Sequence, residues 1–153
     1  MTFDGKLSEL TGKIIRAFFK VYNRLGYGFA EKVYENALSI ELDRLSLTVE
    51  QQKPIQIFYD DHLVGEYFAD LVVNGLVIVE LKASQDIAEE HEAQLLNYLK
   101  ATPIEVGLLL NFGPQPKHIR RMYDNPRKGS LSWTEPVKQS ENNEFGADIY
   151  GKI

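Results

Sequence analysis

Residues 77–83 read VIVELKA, and the way this heptapeptide is placed decides the fold. With Leu76 before it, the run Leu76-Val77-Ile78-Val79 is continuously apolar, the pattern of a strand covered on both faces. The same strand ends in Glu80 and Lys82. Strand side chains alternate, so both charges point the same way as Ile78. A lone charge in such a place costs on the order of several kcal/mol. A Glu-X-Lys pair is common on a solvated edge strand, but the apolar run here is too long for one. Something near the strand end must complete the charge balance.

The neighbouring segments supply candidates. Asp70 lies in YFADLVV, another acid in a run that otherwise favours burial. Asn74-Gly75 separates the two runs and is a strong signal for a two-residue hairpin. Pairing by equal distance from that turn sets Val73 opposite Leu76. Asp70 then falls near Val79, one step from Glu80, and a bulge or diagonal contact is needed to bring the two carboxylates together. Two acids that close repel unless one is protonated or a cation lies between them. Mg²⁺ fits such a site, since it takes oxygen ligands and typically one or two carboxylates with water and phosphate.

Outward from the hairpin, Leu7, Leu10, Ile14, Phe18, Tyr22 and Leu25 recur every three or four residues and predict a helix over 6–25. Gly26 and Gly28 end it, and a second helix is expected from Phe29 to Leu45, with Val33, Leu38 and Leu42 apolar. Strands are expected at 54–59 and 63–73, joined by Asp60-Asp61-His62, and at 76–82. A helix over 87–101 stops before Thr102-Pro103. Val106 to Asn111 is a short apolar strand, and 119–123 a candidate edge strand. The class is α/β in layers. It is not a Rossmann fold, because no Gly-rich strand-to-helix phosphate loop is present. Two parts are expected: a domain over 1–123 and a C-terminal extension over 124–153, loosely ordered or docked.

Composition narrows the function. The 153-residue chain has no cysteine, which excludes disulfides and thiolate chemistry and fits a reducing cytoplasm. No apolar run reaches the roughly 20 residues of a membrane span, and the N-terminus lacks a secretory pattern. The net charge of −5 argues against a general nucleic-acid coat protein. It leaves room for a nucleic-acid enzyme whose acids gather around a cation.

Asp70 followed by Glu80-Leu81-Lys82 resembles the Asp…Glu-X-Lys core of the PD-(D/E)XK nuclease superfamily, with Ala69 in place of the motif's proline. GYGFAEKVYENAL, with Gly28, Glu31 and Tyr34 in Gly-X-X-Glu-X-X-Tyr spacing, resembles the signature of the GxxExxY family. Gln94-Leu95-Leu96-Asn97-Tyr98 is similar to the Gln-hydrophobic-X-X-Tyr motif of the RecB-like and lambda-exonuclease-like branch. Together these stretches reach from about Leu10 to Arg121. The resemblance implies a restriction-endonuclease-like core, αβββαβ, with a mixed sheet flanked by helices. It implies a Mg²⁺- or Mn²⁺-dependent nuclease acting on DNA, with RNA as the second choice of substrate. Asp70, Glu80 and the Leu81 backbone carbonyl would hold the metal, with Glu31 as a further acid. Lys82 would stand beside the attacking water, and Gln94 and Tyr98 would position it.

Tyr34 reads as a packing residue of the signature helix. Lys117, Arg120 and Arg121 form a basic segment able to follow a phosphate backbone or to be a solvated strand edge. Two other readings stand beside the nuclease: a catalytically silent nucleic-acid- or protein-binding module with the same fold, and a homo-oligomer in which the charges pair across an interface. An accessory protein is compatible with so compact a domain.

Overall fold

The computed structural model describes Gly5 and residues 7–138. Helices α1 (Ser8–Leu25) and α2 (Glu31–Arg44) precede strands β1 (Val49–Tyr59), β2 (His62–Val73) and β3 (Val77–Lys82). Helix α3 (Glu89–Ala101), β4 (Val106–Phe112) and β5 (Pro116–Met122) follow. The five strands lie side by side in sequence order, antiparallel except for the parallel pair β3–β4. The run from α2 to β4 is the expected αβββαβ core, a mixed sheet flanked by helices; α1 and β5 are additions to it. Among the described residues, no helix is long and apolar enough to cross a membrane.

Three layers result. Ile14, Phe18 and Val21 of α1 and Tyr34, Leu38 and Leu42 of α2 pack on one sheet face, against Val77, Val79 and Leu81 of β3 and Leu108 and Leu110 of β4. On the other face, Leu95, Tyr98 and Leu99 of α3 pack against Ile78 and Leu109. The alternation anticipated for β3 therefore holds, and its odd and even residues enter two different cores. Helix α3 approaches closely because Gly107 leaves room: a Cβ there would stand 2.6 Å from Leu95 Cδ1. Not every apolar residue of α2 is inward. Val33 is exposed, and Glu35 and Glu41 are buried in its place.

Beyond Met122 the chain closes the C-terminal end of α3. The buried Lys128 donates from Nζ to the carbonyls of Thr102 at 2.8 Å and Ile104 at 2.7 Å. A cation here meets both the exposed carbonyls and the negative end of the helix dipole. Trp133 donates from Nε1 to the Ala101 carbonyl at 3.2 Å. The part of the expected extension from residue 139 onward lies outside the described residues.

Candidate active site

The β2–β3 hairpin builds the centre of the site, with a register one residue away from the expected one. Asn74 and Gly75 take φ of 54° and 65°, as their turn requires, but Val73 pairs with Val77 rather than Leu76. Leu76 is drawn into the loop, its N–H bonded to the Val73 carbonyl at 2.9 Å. With Leu71 opposite Val79, the next level sets Asp70 against Glu80. No bulge is needed within this hairpin to bring the acids together. At that level each carboxylate replaces a missing ladder bond. Glu80 Oε2 accepts from the Asp70 N–H at 2.8 Å, and Asp70 Oδ2 accepts from the Leu81 N–H at 2.8 Å. This reciprocal clamp fixes both side chains to the backbone of the opposite strand.

A second irregularity aims Asp70. Tyr67 and Ala69 pack with the α3 layer, whereas Leu71 and Val73 pack with α1 and α2. Residues two apart normally share a face, so β2 exchanges faces at Asp70. Strand β1 does the same: Val49 packs with α1 and α2, and Ile55 and Ile57 pack with the α3 layer. Opposite Asp70, Gln52 sits in the left-handed region at φ 52°, and the pairing steps from Gln51–Leu71 to Lys53–Ala69 across it. Gln52 Nε2 reaches Asp70 Oδ1 at 3.2 Å and Glu35 Oε1 at 2.8 Å. Glu35 Oε2 accepts from Lys32 Nζ at 2.9 Å and Gln51 Nε2 at 2.8 Å.

The acid that α2 brings toward the pair is therefore Glu35, not the expected Glu31. Glu31 is exposed in the first turn of α2, while Glu35, one turn on, is buried. The sequence held a signal for it: Glu35 follows Tyr34 on the inward helical face shared with Leu38 and Leu42. Tyr34 itself packs, stacked on Phe112 with centroids 4.3 Å apart. Its hydroxyl donates to the Gly26 carbonyl at 2.7 Å and accepts from the Phe29 N–H at 3.2 Å, fixing the glycine turn.

Lys82 points to the α3 side. Its Nζ donates to Gln94 Oε1 at 3.3 Å, and Gln94 Nε2 donates to the Tyr98 hydroxyl at 2.8 Å. The i, i+4 spacing on α3 thus becomes a hydrogen-bonded chain that ends on the lysine. The loop after β3 is tied down by the buried Asn111, which accepts from the Ser84 N–H at 3.0 Å and donates to the Ser84 carbonyl at 3.1 Å.

The electrostatics follow from this packing. Burial, and then the charge of Asp70, push the Glu80 carboxyl up to about 8. Burial raises Asp70 as well, and the charge of Glu35 adds to it against the opposing bonds from Leu81 and Gln52. Tyr98 is raised by burial and by the charge of Glu80. Without added positive charge the Glu80 carboxyl therefore keeps its proton at neutral pH. Among the described residues, no group of three or more His, Cys, Asp or Glu side chains is gathered as a ready ligand set. Two neighbouring carboxylates short of positive charge nevertheless fit a hard divalent cation, which commonly takes no more than that from the protein. The three bases expected on β5 are already engaged. Lys117 pairs with Asp86 at 2.8 Å, Arg121 with Glu92, and Arg120 Nη1 lies 3.2 Å from Met122 Sδ.

A family model described as the PD-(D/E)XK nuclease superfamily matches residues 8–122. No curated protein matches the sequence. Among solved structures, "Crystal structure of SSO0001" is similar, with 17% identity, a TM-score of 0.48, and coverage of 80% of this chain and 59% of that one. The chain therefore spans less than two thirds of the length of that protein.

Proposed function

Because the chain belongs to the PD-(D/E)XK nuclease superfamily, we propose that it is a divalent-metal-dependent nuclease that hydrolyses phosphodiester bonds of DNA or RNA at Asp70, Glu80 and Lys82. The observation that carries this reading is the reciprocal clamp. Two carboxylates short of positive charge are held on the strand that presents Lys82 and on its neighbour. A fold has little reason to bear that cost except at a site that binds something. We further assign the chain to the GxxExxY family, on Gly28, Glu31 and Tyr34. Its affinity to the RecB-like branch rests on the bonded Gln94 and Tyr98. Residues 1–123 are read as the nuclease-like domain, and 124–153 as an extension.

In this reading Asp70 and Glu80, with the Leu81 backbone carbonyl, hold Mg²⁺ or Mn²⁺. When bound, such a cation supplies Lewis-acid stabilisation of charge developing on the phosphate. Lys82 Nζ orients the attacking water and shares the charge on the phosphoryl oxygens as one P–O ester bond breaks. Gln94 limits the swing of Lys82, and Tyr98 holds the Gln94 amide. Glu35 acts on Asp70 through Gln52, as a positioning residue.

The test uses labelled linear, circular, single-stranded and RNA substrates with Mg²⁺ or Mn²⁺. Asp70→Ala and Lys82→Ala should lower cleavage by roughly three orders of magnitude, the scale of removing a group that stabilises the transition state, while keeping the native circular dichroism. Mn²⁺ titration should release heat with the wild type and none with Glu80→Ala. Nucleic-acid binding without wild-type cleavage under either metal would establish the silent binding module instead.

A further inference from the structure

Helix α1 carries Lys13, Arg16, Lys20 and Arg24, at spacings of three, four and four. This is a single helical stripe about 16 Å long at 1.5 Å per residue. It borders the groove between α1 and α2, which consists of two clefts of about 250 and 210 Å³ with Glu41 and Arg44 as a common wall. Five bases and one acid line these clefts, on a chain whose net charge is −5. The acid, Glu41, is buried and is shared between Lys20 and Arg44, each at 3.1 Å. Arg16 and Arg24 are exposed and pair with no acid among the described residues. This contrasts with Lys117 and Arg121, whose charges are taken up by Asp86 and Glu92.

The helix that carries the stripe also ends at an identifiable end of the sheet, shown by a residue on its other flank. Near its Arg24 end, the Tyr22 hydroxyl lies 2.8 Å from the Gly113 carbonyl and 2.9 Å from that of Pro114. Those residues follow β4, which ends beside β3 with Asn111 level with Lys82. The C-terminal end of α1 therefore sits at the end of the sheet where Glu80 and Lys82 stand. We infer that the α1 stripe, with Arg44, is the surface that holds the sugar–phosphate backbone of the nucleic acid. This rests on the nuclease reading for its ligand class. A polyanion needs positive charge within its reach. Arg16 and Arg24 supply it on a face that runs to the end of the sheet at which β3 presents Lys82, while Lys13 is paired with Glu9 and Lys82 itself points to the opposite sheet face.

The experiment measures binding of the full chain to a fluorescein-labelled DNA duplex of about two helical turns by anisotropy in EDTA, where cleavage is suppressed. Arg16→Gln/Arg24→Gln should weaken binding about tenfold. It should also reduce the slope of log affinity against log salt by about 2, one for each phosphate no longer neutralised. Lys117→Gln/Arg121→Gln makes the same change in net charge and should alter affinity less than about threefold. Both double variants replace surface side chains, and matching melting temperatures confirm their folds. Equal losses in the two doubles would reduce the effect to bulk charge and overturn the inference. Wild-type affinity in the α1 double would overturn it too, as expected if the groove takes an acidic protein partner. Wild-type cleavage with stripe-independent binding would sink the stripe alone. Stripe-dependent binding without any wild-type cleavage would sink the nuclease reading alone.

Discussion

Glu80 and Glu41 are the same residue type, 2% and 7% exposed, and the molecule treats them in opposite ways. Glu41 lies between Lys20 and Arg44, whose bonds and charges hold its carboxyl below the ordinary value of 4.5. Glu80 faces Asp70 and is pushed up to about 8 by burial and by that neighbour. The first arrangement is complete within the chain. The second lacks positive charge that the chain does not provide. An under-neutralised acid thus distinguishes the candidate site from a structural ion pair. Little of either side chain is exposed, but Glu41 borders the open α1–α2 clefts whereas Glu80 is deeply desolvated, so the two differ in surroundings as well as in partners.

The sharpest way to break this contrast is to neutralise each acid. Glu80→Gln should abolish cleavage, and it should stabilise the metal-free protein at pH 8 by on the order of a few kcal/mol. The sign follows from the raised value. A folded state that keeps its proton up to about pH 8 loses stability as pH climbs from 4.5 toward 8, and glutamine removes that loss. Urea denaturation in EDTA at pH 5 and pH 8 reads it directly. If the variant is instead less stable at pH 8, Glu80 is an ordinary structural acid like Glu41. Added Mg²⁺ should restore wild-type stability at pH 8 and leave Glu80→Gln unmoved.

A smaller effect separates the two acids of α2. Glu35→Ala should slow cleavage roughly 10–100-fold, the range for removing a group that orients a ligand. Glu31→Ala should change it less than about threefold. The reverse order in a steady-state assay would return the role to Glu31. Next, Gln94→Ala should slow cleavage by roughly tenfold, through a less confined Lys82. An unchanged rate would mean the Lys82–Gln94–Tyr98 chain is packing alone.

The smallest change is expected at Glu41→Gln. Cleavage should be unaltered and stability modestly reduced near neutral pH. Because its folded value is lowered, the contribution of Glu41 is present above pH 4.5 and fades as pH falls through the folded value. The wild type and Glu41→Gln should therefore converge in stability under acid, as seen by thermal melts.

Much of the fold was open to reading in the chain. The alternation of Ile78, Glu80 and Lys82, the spacing of Gln94 and Tyr98, and the Asn74-Gly75 turn are all local. A periodicity of 2.0 or 3.6 fixes which side chains share a face. The α1 bases stand at helical spacing, a pattern as local as the basic run of β5. What stayed hidden was geometry at the scale of one residue. The slip from Val73–Leu76 to Val73–Val77 costs the turn little, yet it moves Asp70 from beside Val79 to level with Glu80.

The sequence by itself determined the element order, the two-sided burial of the central strand and the residue types gathered near its end, because each follows from periodicity and from the expense of burying charge. Only the tertiary structure decided the hairpin register, the exchange of faces at Gln52 and Asp70, and the burial of Glu35 beside an exposed Glu31. Those depend on how backbone donors are satisfied where consecutive strands pair and the helices pack on them. A donor left free by an interrupted ladder takes whichever carboxylate is within reach, and that distance is not written in any local pattern.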